Sequence, residues 1–95
     1  MTPDQPVTVR AATIRDLKAI WDIEEASYTA PWPKETFFVD ITFNADAKYF
    51  VALVDRRIVG FIGGWFKEGR LHIVNVATHP AFRGHGVARE LVAFM

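Results

Sequence analysis

The sequence predicts an α+β domain in which helices flank a mainly antiparallel sheet. Three strand-like segments follow one another with only short turns between them, and apolar residues at helical spacing stand before and after them. The predicted order is strand, helix, helix, three strands and helix, which is typical of an antiparallel sheet covered by helices. A chain of 95 residues has room for one small domain.

The first predicted elements are a strand and an amphipathic helix. Residues 1–6 contain two prolines and are expected to form a loose leader, whereas residues 7–10 alternate like a strand. Thr13 is a candidate N-cap, with Asp16 three positions later as an imperfect capping box. A helix to about Ser27 is indicated by apolar residues at helical spacing: Ile14, Leu17, Ile20, Trp21 and Tyr28.

Prolines separate this helix from a second one. Residues 31–33 read Pro-Trp-Pro, which ends the first helix. Pro33 suits the first position of a short helix through about Phe43, because the missing N–H is not needed there.

The remainder of the chain predicts a meander of three strands and a final helix. The strands are expected at 49–54, 58–66 and 71–78, the turns at 55–57 and 67–70, and the helix at 87–95. This last helix is apolar and carries no stop signal. We therefore expect that the chain stops before its fold is complete.

Composition excludes several classes of function. The net charge is zero, with eleven acidic and eleven basic residues, which argues against non-specific binding to nucleic acid or a membrane. The chain has no cysteine, and its three histidines lack metal-ligand spacing, so no metal site is expected. No signal peptide or apolar run of membrane-spanning length is present, and we expect a soluble cytoplasmic protein.

The segment 79–89, between the last strand and the last helix, is the strongest candidate for a binding site. A strand, a tight turn containing Gly84 and Gly86, and a helix N-terminus together present free backbone N–H groups to a phosphate. The glycines allow close approach, and Arg83 and Arg89 add positive charge. The alternative is an ordinary glycine turn with solvated arginines.

Two common phosphate-binding motifs do not fit this segment. A Walker A loop needs a Gly-Lys-Ser/Thr ending, which is absent. A dinucleotide-binding fingerprint needs a small residue where Arg89 stands, and its acidic residue would lie beyond the end of the chain.

The pattern Arg-x-x-Gly-x-Ala at residues 83–88 instead resembles the acyl-CoA-binding motif of the GNAT N-acetyltransferase superfamily. The order of elements also matches roughly the first two-thirds of that fold. The resemblance thus implies that residues 1–95 are the N-terminal portion of the domain, cut after the last predicted helix and with the C-terminal strands missing. Residues 28–33 and 73–77 are similar to the branch that acetylates the N-terminal alanine of a ribosomal protein.

This resemblance implies acetyl-CoA as co-substrate. The backbone N–H groups of residues 84–89 would converge on its pyrophosphate, while the pantetheine arm would pair with the preceding strand. The cofactor-binding residues that follow from the resemblance are Val76, Ala77, Thr78, Arg83, Gly84, His85, Gly86, Val87, Ala88 and Arg89.

The resemblance also indicates where the chemistry would come from. The family's usual acid and base lie downstream of the pyrophosphate helix and therefore beyond Met95. Within the chain, His72 is the candidate base, with a half-buried strand histidine as the alternative. Asn75 is a candidate donor to substrate or cofactor, or else satisfies a sheet irregularity. His79 and His85 are expected to be solvated rather than catalytic.

An acceptor site is implied between the first two helices. Tyr28 and Trp32 would pack on a bound peptide, and nearby acidic residues, Glu24, Glu25 and Glu35, would hold its cationic N-terminus. The alternatives are Trp32 as part of the core and the glutamates as a solvated helix face.

The function implied is transfer of an acetyl group from acetyl-CoA to a primary amine, the N-terminal amine of a ribosomal protein. Two alternatives remain open: a catalytically silent acyl-CoA-binding or interaction fragment, and a chain completed by strand exchange in a homo-oligomer.

Overall fold

A computed structural model describes residues 6–95. Its strands are β1 (Thr8–Ala11), β2 (Ala47–Val54), β3 (Arg57–Lys67) and β4 (Arg70–Thr78), and its helices are α1 (Leu17–Ser27), α2 (Lys34–Thr42) and α3 (Val87–Phe94). The predicted fold class and order of elements are confirmed. The predicted leader lies outside the described residues except for Pro6.

The four strands form one antiparallel sheet in the order β1-β2-β3-β4. Both connections within the meander are two-residue turns with positive φ, at residues 55–56 and 68–69. Such turns match the twist of the strands that they join. Because the turns are short, β2 pairs with β3 and β3 pairs with β4, and β4 lies at the edge of the described sheet.

Each face of the sheet carries its own apolar core. On one face, Ile20 and Ile23 of α1 and Phe37 of α2 pack against Phe61 and other buried strand residues. On the other face, Val87 and Leu91 of α3 pack against a second buried set from β2 and β3. The helices are thus held on opposite sides of the sheet by burial of apolar surface.

Asp16 fixes the start of the first helix. A 3-10 turn, Ile14–Asp16, precedes α1, and the Asp16 carboxylate accepts the backbone N–H of Thr13 at 2.8 Å. The same carboxylate forms a bidentate ion pair with Arg10, with nitrogen–oxygen distances of 2.8 and 2.9 Å. The hydrogen bonds from Arg10 are the largest cause that lowers the pKa of Asp16.

Two details of the predicted helices differ from the structure. Ile14 and Tyr28 are exposed, at 46% and 43%, and Tyr28 lies just past the end of α1, so neither belongs to its buried face. Pro33 stands one residue before α2 with an extended ψ of 144°, rather than as its first residue.

A buried polar cluster joins α2 to the sheet. Asp40 of α2 accepts hydrogen bonds from the Tyr49 hydroxyl at 2.8 Å and from the Trp65 indole N–H at 3.0 Å. Burial, followed by the nearby Asp40, raises the pKa of Tyr49. Gly63 leaves the space beside β3 that the Tyr49 ring fills.

Candidate functional site

The free edge of β4 presents backbone groups that the sheet does not use. The N–H of His79 donates to the carbonyl of Val59 at 2.7 Å, so His79 faces β3. Because successive residues of an antiparallel strand alternate between facing the partner and facing away, Val76 and Thr78 face outward. Their backbone groups are therefore accessible from this edge, and both residues were predicted to pair with the cofactor.

Two side chains occupy these outward carbonyls. The Tyr28 hydroxyl donates to the carbonyl of Val76 at 2.8 Å, and Nε of Arg83 donates to the carbonyl of Thr78 at 3.1 Å. Arg83 also contacts Oγ of Ser27 at 3.2 Å. The end of α1 is thus tied to the edge of β4 and to the segment that follows it.

A cavity of about 300 Å³ lies between these groups. The structure brings together five of the predicted cofactor residues here, along with the last residue of α1 and the residue that follows it. The lining consists of Ser27, Tyr28, Val76, Ala77, Thr78, Arg83 and Ala88.

The loop after β4 has the backbone geometry of an anion site. Gly84 and Gly86 have φ values of 84° and 81°, in the left-handed region that favours glycine. Gly86 is the N-cap of α3, and its carbonyl accepts the first helical N–H, that of Glu90, at 3.0 Å. The N–H groups of residues 87–89 consequently have no acceptor within the helix, and they add to the positive end of its dipole.

Side chains around the loop differ in their surroundings. Arg89 is exposed, whereas Arg83 is folded back on Thr78 and Ser27 as described above. His85 is partly buried, and its Nδ1 has no hydrogen-bond partner within the described part of the chain. His79 is not freely solvated, because its Nδ1 accepts the N–H of Ala81 at 3.1 Å.

A second cavity, of about 250 Å³, adjoins the first along β4. Tyr28 lines both cavities and so stands between them. The other lining residues are Glu24, Ala30, Trp32, Val74 and Asn75. They include two predicted substrate contacts, Trp32 and Asn75, and one of the three glutamates, whereas Glu25 and Glu35 do not line this cavity.

Glu24 is not part of a solvated helix face, and that alternative is wrong for this residue. Its exposed fraction is 1%, whereas Glu25 and Glu35 are exposed. Its carboxylate accepts the backbone N–H of Trp32 at 2.9 Å and the side-chain amide of Asn75 at 2.7 Å. The backbone carbonyl of Trp32 in turn accepts the indole N–H of Trp21 at 3.2 Å, which fixes the loop between α1 and α2.

Trp32 packs on the core and also lines the second cavity, and its contact with a bound peptide stays a prediction. Its ring lies 5.7 Å from that of Phe37, centre to centre, and packs against the core beneath α1 and α2. It also forms a wall of the second cavity. The two interpretations are compatible because only part of the side chain is buried.

An irregularity in β4 decides which side chains share a face. Asn75 is opposite Gly63 and Ile73 is opposite Gly64, so Val74 is an extra residue, a β-bulge. His72 is opposite Trp65, whose indole lies on the α1–α2 face. Cross-strand partners share a face, so the bulge places His72 on the same face as Asn75.

His72 is exposed near the beginning of β4 and lines neither cavity. Its role as a base stays a prediction. The side-chain amide of Asn75, beside the bulge, donates to Glu24, and its contact with substrate or cofactor stays a prediction.

Sequence reasoning missed the buried carboxylate and the contact between Tyr28 and β4. A signal for Glu24 existed, because it follows Ile20 by four residues and therefore lies on the buried stripe of α1. Within residues 6–95, no group of three or more His, Asp or Glu side chains is placed to hold a metal ion. None of the described helices is long and apolar enough to cross a membrane.

Comparison with known proteins finds the same family by sequence and by structure. The model of the acetyltransferase (GNAT) family matches residues 17–95. A Bacillus subtilis (strain 168) protein, provisionally named a ribosomal protein bS18-alanine N-acetyltransferase, is 31% identical over 83 residues, which are 87% of this chain and 55% of that protein. The chain thus spans about half the length of this relative.

Solved structures share the fold at low sequence identity. The ribosomal-protein-S18-alanine N-acetyltransferase from Escherichia coli superposes with a TM-score of 0.85 at 20% identity, over 94% of this chain and 56% of that one. The PaiA N-acetyltransferase from Thermoplasma acidophilum, in complex with coenzyme A, gives a TM-score of 0.80 at 16% identity, over 94% and 69%.

Proposed function

Because the chain belongs to the acetyltransferase (GNAT) family, we propose that it binds acetyl-CoA along the free edge of β4 and contributes to acetyl transfer onto a primary amine. The observation that carries this proposal is the continuity of the site. Val76 and Thr78, whose backbone groups face outward, line the first cavity together with Arg83 and Ala88, which stand on either side of the glycine loop.

The pyrophosphate of the cofactor would bind the loop. The N–H groups of residues 84–89 and the N-terminus of α3 offer hydrogen bonds and a dipole of the right sign, worth roughly 0.3–1 kcal/mol for the dipole alone. Arg89 is exposed and would add a charge-assisted contact.

The pantetheine arm would continue from the loop along β4 toward the bulge at Val74. Its amide groups would pair with Val76 and Thr78, as a neighbouring strand would. For this pairing, the Tyr28 hydroxyl and Nε of Arg83 would have to share or leave the carbonyls that they contact. The thioester would then reach the boundary between the two cavities.

The acceptor amine would enter the second cavity. In the reaction, the lone pair of a neutral amine forms a bond to the thioester carbonyl carbon and the carbon–sulfur bond breaks. The proton that the nitrogen loses ends on the thiol of coenzyme A. His72, on the face that carries Asn75, is our candidate for the base that first removes a proton from the ammonium.

The acceptor that we propose is the N-terminal amine of a protein beginning with alanine, in the cytoplasm. The names of the Bacillus subtilis relative and of the Escherichia coli structure support this choice, since both specify a ribosomal protein's alanine. The small and apolar residues Ala30 and Val74 on the second cavity fit a short side chain.

Two measurements test this function. Titration of coenzyme A measures binding, and an assay with acetyl-CoA and an alanine-starting peptide measures transfer, with the N-acetylated peptide as control. We expect saturable binding and acetylation of the free amine only. Binding without transfer would support the alternative of a silent acyl-CoA-binding module, and absence of binding would contradict the proposal.

The free edge of β4 favours one further candidate, completion of the sheet by a strand from a second copy. The exposed apolar residue Ile73 lies on β4, whose outer edge is not paired with any described strand. This candidate predicts that activity per chain rises steeply with chain concentration. Activity per chain that is independent of concentration would contradict it.

A further inference from the structure

Glu24 carries a buried negative charge that no cation in the described structure balances. It is 1% exposed, and both of its hydrogen-bond donors, the Trp32 N–H and the Asn75 amide, are neutral. Neither the Arg10–Asp16 nor the Lys18–Asp22 ion pair includes Glu24.

An uncompensated carboxylate is expensive to bury. Two neutral hydrogen bonds offset part of the cost of removing the charge from water, but an opposite charge would offset more. A carboxylate has about four acceptor positions, and the hydrogen bonds from Trp32 and Asn75 occupy two of them. Glu24 lines the second cavity, so a ligand there can reach the carboxylate.

The remaining walls of this cavity suit a small cationic group. Tyr28 and Trp32 supply aromatic surface, and Ala30 and Val74 supply small or apolar surface. A primary ammonium on a short aliphatic residue matches both the charge and the walls.

We propose that Glu24 binds the protonated acceptor amine in the second cavity and so selects substrates with a free, cationic N-terminus. This inference rests on the proposed function, because it names the group that docks the acceptor of that reaction. The contact forms before the amine is deprotonated, and no covalent bond changes in it. It assigns a ligand to a buried charge that the acetyl-transfer scheme leaves unused.

A purely structural role for Glu24 is the competing explanation, and Glu24→Gln separates the two. In this variant the Asn75 side chain can turn over, so that its oxygen accepts from the new amide while the Trp32 N–H still has an oxygen to bond. Both links are then kept and only the charge is lost. Glu25→Gln, one residue away on the exposed side of α1, is the matched control.

The test is a cycle of four affinities, for the unaltered protein and Glu24→Gln with each of two ligands, and the same two affinities are measured for the Glu25→Gln control. All are measured on the full chain with coenzyme A bound, so that no turnover occurs. The ligands are an alanine-starting peptide and its des-amino analogue, which lacks only the N-terminal amine. We expect the unaltered protein to bind the alanine peptide at least tenfold more tightly than the analogue. We expect the preference to fall below about twofold in Glu24→Gln and to stay at tenfold or more in Glu25→Gln.

The possible outcomes are distinct. An unaltered protein that binds both peptides equally overturns the inference without any variant, even if Glu24→Gln fails to fold. A preference that survives in folded Glu24→Gln also overturns it and leaves Glu24 with a structural role. Failure of the unaltered protein to bind coenzyme A overturns the proposed function, and this inference with it.

Discussion

The hydroxyl of Tyr28 donates a 2.8 Å hydrogen bond to the backbone carbonyl of Val76, across 48 positions of sequence. The contact lies between the two cavities and uses a carbonyl on the free edge of β4. Tyr28 therefore separates the proposed acceptor and cofactor cavities. Its hydroxyl also binds the Val76 carbonyl, which the pantetheine arm would need as a hydrogen-bond acceptor.

Tyr28→Phe tests this competition. The variant frees the Val76 carbonyl while keeping the ring, so we expect coenzyme A to bind about two- to tenfold more tightly, which corresponds to one hydrogen bond of ~0.5–1.5 kcal/mol. Calorimetric titration measures the change. Adenosine 3′,5′-bisphosphate, which lacks the pantetheine arm, serves as control, and its affinity should not change. Weaker binding of coenzyme A by the variant would contradict a competition.

Gly86→Ala tests the loop through backbone conformation. A Cβ at this position meets no atom within 4 Å, so the cost comes from its φ of 81° alone, about 1–2 kcal/mol. We expect the N–H groups of the loop to move and the affinity for coenzyme A to fall by tenfold or more.

Gly69→Ala is the matched control for that substitution. Gly69 has a φ of 76° and equally open surroundings, but it lies in the turn between β3 and β4. Urea unfolding should show a similar loss of stability in both variants, whereas titration should show lost affinity only in Gly86→Ala. Equal affinities would place the phosphate contact elsewhere.

Arg89→Gln tests the charge at the start of α3. Arg89 is exposed, and one charge-assisted hydrogen bond to phosphate is worth about 1.5–3 kcal/mol, so we expect at least tenfold weaker binding of coenzyme A. Stability should be unchanged. Arg70→Gln makes the same charge change at the far end of β4 and should leave the affinity as it is. A similar loss in both variants would indicate a general charge effect.

Asp16→Asn tests the pH dependence of stability. The Arg10 hydrogen bonds lower the pKa of Asp16 below its ordinary value, so the folded state favours the ionised form. Its contribution, about 1–3 kcal/mol, is therefore complete above pH ~4 and is lost as the pH falls through the lowered pKa. Urea unfolding between pH 7 and pH 2 should show a gap between the two proteins that closes in acid. A gap of constant size would contradict this assignment.

Local patterns in the sequence were sufficient for the elements and the loop. Helical spacing, proline positions and short turns predicted the strands and helices to within one or two residues, because these signals act over a single turn or pleat. The exception is the start of α1, which lies three residues later than predicted because a 3-10 turn, Ile14–Asp16, precedes it. The capping interaction between Thr13 and Asp16 and the positive φ at Gly84 and Gly86 are local for the same reason.

The acceptor cavity could not be predicted in the same way. The hydrogen bond between Asn75 and Glu24 spans 51 positions, and it depends on a bulge that only the pairing of β3 with β4 reveals. Helical spacing suggested that Tyr28 belongs to the apolar face of the first helix. That spacing could not show that α1 ends at Ser27, so that the Tyr28 side chain contacts β4 instead.

The most direct test of the whole account is a titration of the isotopically labelled protein with coenzyme A, followed through its backbone amide resonances. We predict saturable chemical-shift changes that are concentrated in the N–H groups of residues 84–89, Val76 and Thr78, with little change at the β2–β3 turn. Shifts that are absent, or that cluster away from the edge of β4 and the loop, would contradict it.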